Sequence, residues 1–152
     1  MKAFESAAYR LGLAEGFLGE AEQDLSLERW RSCVDNAQLA VKNAGKVVLA
    51  LFGVASKTHD PAQPIAVLLR DRGLPSAIDD PIRQMLPDLL ALGSAEHFLT
   101  DYGDEATYTL PWGLFTRESA EDALTTARHS VQIAKQIQDL VKTGHQSEQN
   151  SP

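Results

Sequence analysis

The run Trp30-Arg31-Ser32-Cys33-Val34-Asp35-Asn36-Ala37-Gln38-Leu39-Ala40-Val41-Lys42-Asn43-Ala44-Gly45-Lys46-Val47-Val48-Leu49-Ala50-Leu51-Phe52 decides the fold. Its apolar residues Trp30, Cys33 (or Val34), Ala37, Val41, Ala44, Val48 and Leu51 recur at intervals of three and four, the spacing of one face of an α-helix. Gly53 follows at once and suits a helix terminus, because glycine takes the left-handed conformation without a steric penalty. The alanines on the stripe allow a neighbouring helix to come close. Gly45 lowers helix propensity by about 1 kcal/mol against alanine, and close packing at that point would account for it. A helix from about Leu27 to Phe52 is expected.

The same spacing appears on both sides of this run. Upstream, Phe4, Ala7, Leu11, Ala14, Leu18, Ala21 and Leu25 mark a helix over about Lys2 to Asp24, and Ser26 is a candidate cap for the helix that follows. Downstream, Asp60-Pro61 and Asp79-Asp80-Pro81 each read as a helix start, an oxygen cap followed by proline at the first helical position. They predict a short helix over about Pro61 to Arg72 and a longer one over about Pro81 to Tyr102, with either a kink or a later true start at Pro87. A loop from Gly103 to Phe115 leads to Thr116, which can cap a last helix. The stripe of that helix is Ala120, Leu124, Ala127, Val131, Ala134, Ile137 and Val141. Residues 143–152 are polar and without periodicity, and are expected to be a disordered tail. The expected fold is all-α, an up-and-down antiparallel bundle of four long helices plus one short helix, forming a single domain over residues 1–142.

Composition narrows the functional classes. A chain of 152 residues with 43% hydrophobic side chains can bury a core without staples. The formal net charge of -7 disfavours broad binding to nucleic-acid backbones and leaves room only for a local basic site. A lone cysteine, Cys33, reads as a small core residue and points to a reducing, cytoplasmic setting. The opening Met1-Lys2-Ala3-Phe4-Glu5 lacks the apolar run of a secretion signal. The longest apolar stretch, Val47 to Ala55, is too short to span a bilayer. No Glu-x-x-His pair, glycine-rich phosphate loop, nucleophile elbow or DNA-binding motif occurs, and neither metal nor cofactor is expected.

The stretch Asn36 to Lys46, with Gly53 and Thr58-His59-Asp60 after it, resembles the HEPN family, the higher eukaryote and prokaryote nucleotide-binding domain. Ala14-Glu15 and Ala21-Glu22 fit the alanine-glutamate pair of the family's first helix, and Lys46 fits the lysine of its second. Leu114-Phe115-Thr116-Arg117-Glu118-Ser119-Ala120-Glu121-Asp122-Ala123-Leu124-Thr125-Thr126-Ala127 is similar to its last helix. The likeness covers about Lys2 to Lys142. Two positions depart from the pattern. Thr107-Tyr108-Thr109 stands where arginine-tyrosine-proline is common, and Lys42 replaces a glutamate. Many HEPN ribonucleases carry an arginine, then four to six residues, then a histidine. None of His59, His97, His129 and His145 has one at that spacing, so the cation that would steady a phosphate transition state is missing.

The resemblance implies a homodimeric binding module, often partnered by a minimal nucleotidyltransferase in toxin–antitoxin pairs, with a nucleotide or RNA as ligand. Lys42, Lys46, Lys57, His59 and Tyr108 are the expected ligand-contacting residues. Lys42 and Lys46 lie four apart on one helical face and repel unless an anion or an acid stands between them. The plainer reading is a solvated face, or pairs with acids of the first or last helix. His59 sits at a helix start, where free amides favour an anion. Its plainer role is to order the loop. Tyr108, with Trp112 and Phe115, can stack on a base or plug the end of the bundle. Arg128 and His129 read as a surface pair. Two rival functions stand beside the binding module: a metal-independent ribonuclease toxin with an unusual site, and a structural bundle without a small-molecule ligand.

Overall fold

In the computed structural model the helices order around the run with which the sequence reading began; the structure describes residues 2–54, 60–92 and 99–149. The main helices are α1 (Lys2–Ser26), α2 (Trp30–Leu51), α3 (Ala62–Asp71), α4 (Ser76–Ala91), the single turn α5 (Pro111–Leu114) and α6 (Arg117–Gln149). Residues 99–102 are also helical. The fold is an all-α helical bundle. Helices α1 and α2, joined by residues 27–29, pack along their length, and α6 lies against both. On the other side, α4 packs on α6 and α2, and α3 packs on α4 and α2.

Helix α2 is therefore the central element. Its expected stripe is buried from Cys33 to Leu51, and Ala40, Gly45, Val47 and Leu49 on other faces are buried too. A helix enclosed on most sides needs small residues where neighbours press closest. A Cβ added at Gly45 would stand 2.9 Å from both Leu89 Cδ2 and Pro61 Cγ. That contact explains a glycine inside a long helix. Cys33 is fully buried, and burial, helped by Asp24, pushes its thiol up to about 11.

Helix ends show where local signals prevail and where packing overrides them. Gly53 takes a φ of +69° after α2, and the Gly53 and Val54 amides reach back to the Ala50 and Leu49 carbonyls. Asp60 accepts the Ala62 amide at 3.1 Å and so caps α3. Thr116 and Ser119 cap each other's backbone amides at the start of α6, at 3.2 and 2.8 Å. Ser26 does not cap α2; it stays in α1, its hydroxyl donating to the Gln23 carbonyl. The α1–α2 link is tied by the Arg29 amide to the Asp24 carbonyl instead.

Helix α4 begins five residues before the expected Pro81, at Ser76, because the Pro75 carbonyl accepts the Ile78 and Asp79 amides. Pro81 thus lies inside the helix, where burial beside Ile82 offsets the missing hydrogen bond. The helix ends at Ala91 rather than running on to Tyr102, and Leu90 near its end is exposed. Helix α6 continues to Gln149, past the expected end at Lys142. The Phe4 ring of α1 meets the His145 ring with centroids 5.4 Å apart, a partner for this last stretch that its polar composition concealed. Among the described residues no helix is long and apolar enough to cross a membrane.

Candidate functional site

Lys42 and Lys46 occupy successive turns of α2, and the helix is enclosed enough to draw both side chains out of water. Lys42 is only 9% exposed. Burial lowers its pKa, while the carboxylates of Asp35, Asp60 and Asp101 act in the opposite direction. Lys46 is half-buried and its pKa is also lowered, first by burial and then by the positive charges of Arg10 and Lys42. The two lysines thus differ. Lys42 has acids around it, whereas the charges acting on Lys46 share its sign.

Arg10 completes the arrangement from α1. Its guanidinium donates to the Asn43 side-chain oxygen at 3.5 Å, and Asn43 is itself held by a 2.9 Å bond from its amide nitrogen to the Leu39 carbonyl. Arg10 and Lys42 both act on Lys46, so three cations gather on this face of α1 and α2, with Lys42 the one balanced by acids. Such a group suits a phosphate, whose oxygens accept from several N–H donors at once. Sequence reasoning missed Arg10. The signal was present, since Arg10 lies three residues after Ala7 and four before Ala14, beside the buried stripe of α1.

A polar relay holds the segment after residue 98 against the first half of α2. Arg31 Nη1 donates to the Thr100 carbonyl at 3.0 Å, and the Thr100 hydroxyl donates to Asp35 at 3.0 Å. Thr100 is fully buried. This relay explains how Asp101, the next residue, comes near enough to act on Lys42.

Tyr108 is placed differently. It is 94% exposed and shares its surface depression with Tyr102, Asp104, Glu105, Thr109 and Leu110, not with the lysines. Two carboxylates beside it make a poor seat for a phosphate. Lys57 and His59 lie outside the described residues, as does His97. Arg128 and His129 do not pair with each other. Arg128 Nε meets Glu22 at 3.2 Å, and His129 Nδ1 meets Asp88 at 2.6 Å, while Ser130 donates to the same Asp88 oxygen at 2.8 Å. Asp88 accepts from both neighbours and ties α4 to α6. The hydroxyl is directed to the carboxylate rather than to the imidazole, so this is a clamp, not a nucleophile with its base. A depression of about 450 Å³ beside α3, lined by Val54, Pro64, Val67 and Leu68 among others, includes none of the expected site residues. Among the described residues no group of three His, Cys, Asp or Glu side chains is placed to hold a metal.

Residues 7–137 match the family model described as the HEPN domain. No curated protein matches the chain in sequence.

Proposed function

Because the chain belongs to the HEPN family, we propose that it is a binding module that holds the phosphate of a nucleotide or of RNA on Arg10, Lys42 and Lys46, without catalysing its cleavage. One observation carries the reading. Lys46 is half-buried with two further cations acting on it, an arrangement that costs folding energy and that a bound anion would relieve. Asn43 beside them offers a further polar contact. Lys57 and His59 belong to the proposal as additional ligand contacts.

Calorimetric titration with ATP and with a short single-stranded RNA tests the reading. Lys46→Ala should weaken binding of at least one by tenfold or more with helicity unchanged, and Lys46→Ala with His59→Ala should abolish it. Unchanged binding in the double variant refutes the site. A phosphate raises the pKa of Lys46, so binding at alkaline pH should take up protons and show a buffer-dependent heat. Incubating RNA with the protein and a chelator separates the module from the ribonuclease reading: cleavage that disappears in His59→Ala would establish the enzyme instead.

The assembly belongs to the same proposal: a homodimer, partnered by a minimal nucleotidyltransferase. Light scattering on the purified chain tests the first, with a monomer mass at all concentrations refuting it. Co-purification with a nucleotidyltransferase encoded beside this chain tests the second.

A further inference from the structure

Four of the nine large apolar side chains that stand exposed among the described residues fall in one strap: Tyr102, Tyr108, Leu110 and Trp112. The strap is rigid. Asp104 and Thr109 exchange backbone hydrogen bonds of 2.9 and 3.0 Å, the Asp104 carboxylate accepts the Ala106 amide at 3.0 Å, and the Thr107 and Thr109 hydroxyls meet at 2.7 Å. Gly103 is pressed so close to the Thr109 carbonyl that no side chain could replace it. Tyr108 at the tip holds a φ of +55°, a conformation that favours glycine, with its ring 94% exposed. Between residues 99 and 116 there are three acids, Asp101, Asp104 and Glu105, and no lysine or arginine. Two depressions of about 520 and 530 Å³ share Tyr102, Asp104 and Glu105.

We infer that this strap is a docking surface for a protein partner, which it grips through lysine or arginine side chains laid across Tyr108 and paired with Glu105 and Asp104. Charge complementarity selects the partner. The acids repel a phosphate backbone, so RNA is disfavoured here, while a cation gains from both the carboxylates and the aromatic face. Arg31 of α2 already pairs in this way with one ring of the strap, its guanidinium 5.9 Å from the Trp112 ring centre, so the acidic end of the strap is the part around Tyr108, Asp104 and Glu105. An exposed aromatic on a turn closed by its own hydrogen bonds presents contact area from a backbone already ordered. The inference does not depend on the phosphate site, because the acids it uses, Asp104 and Glu105, are not among those acting on Lys42 or Lys46.

Fluorescence anisotropy of a labelled nonaarginine peptide with the full chain tests it. Tyr108→Gly removes the ring and suits the positive φ, so it should leave the thermal midpoint unchanged or higher while weakening the peptide by roughly fivefold. Glu105→Gln should weaken it similarly. Glu20→Gln, which removes one charge from an exposed position on α1, should change it by less than twofold. Equal loss in Glu20→Gln and Glu105→Gln, or full binding by Tyr108→Gly, overturns the inference, since the attraction would then be to net charge alone. Loss of single-stranded RNA binding in Tyr108→Gly with peptide binding intact also overturns it, and would make the ring a base-stacking platform.

Discussion

Lys46 joins stability to function at the level of a single side chain. Its pKa in the folded protein is lowered, so the charged form is less favoured there than in the unfolded chain. The sign follows: below the folded-state pKa the fold carries the full penalty, and as pH rises toward the unfolded-state value the native lysine gives up its proton first and the penalty fades. Lys46→Met should therefore raise the thermal midpoint near neutral pH while weakening phosphate binding, and the midpoint difference should shrink at alkaline pH. A lower midpoint at neutral pH would contradict this. Gly45, one residue earlier, is constrained by shape. Gly45→Ala gains about 1 kcal/mol of helix propensity but drives a methyl into Pro61 and Leu89, and overpacking of this kind costs about 1–3 kcal/mol. Urea denaturation should show net destabilisation. An increase in stability would mean that α3 and α4 yield easily around α2.

Among the elements, the termini divide into two kinds. Those built from short-range chemistry follow the sequence signals: Gly53 ends α2, Asp60 caps α3 and Thr116 caps α6. Thr116→Ala should cost about 1 kcal/mol, because it frees the Ser119 amide of its hydroxyl partner. Thermal unfolding monitored by circular dichroism reads that loss directly. An unchanged midpoint would show that the start of α6 is held by packing alone. The other kind of terminus is set by neighbours. Asp79-Asp80-Pro81 has the residues of a helix start, yet α4 begins at Ser76. The extra turn sits where the Pro75 carbonyl can bond it, and the buried Pro81 and Ile82 hold it down.

On the scale of the whole molecule, acids outnumber bases by 21 to 14, for a net charge of -7, and the cations of the proposed phosphate site are few. A phosphate ligand is therefore confined to few contacts. For single-stranded RNA on three cations, the logarithm of affinity should fall with the logarithm of salt at a slope of roughly -2. A slope of -5 or steeper would require a much wider basic surface than Arg10, Lys42 and Lys46 provide. Binding titrations at several salt concentrations decide between them.

What the amino-acid order determined alone is the long helices and the stripes they bury, while the turn α5 falls inside a stretch that it marked as a loop. Apolar residues three and four apart can be hidden only against another such stripe, and Ala14, Val41, Leu124 and Ala134 are all buried as that spacing requires. The same order marked Lys42 and Lys46 as a same-face pair and Gly45 as a close approach. Only the tertiary structure decided which charges surround them. Arg10 is 32 positions from Lys42, while Asp35, Asp60 and Asp101 come from three separate stretches of chain. Electrostatic energy depends on distance through space and on burial, and neither is written in local spacing. For the same reason Tyr108, chosen from the sequence as a ligand contact, stands among carboxylates: the turn closed by Asp104 and Thr109 fixes its surroundings.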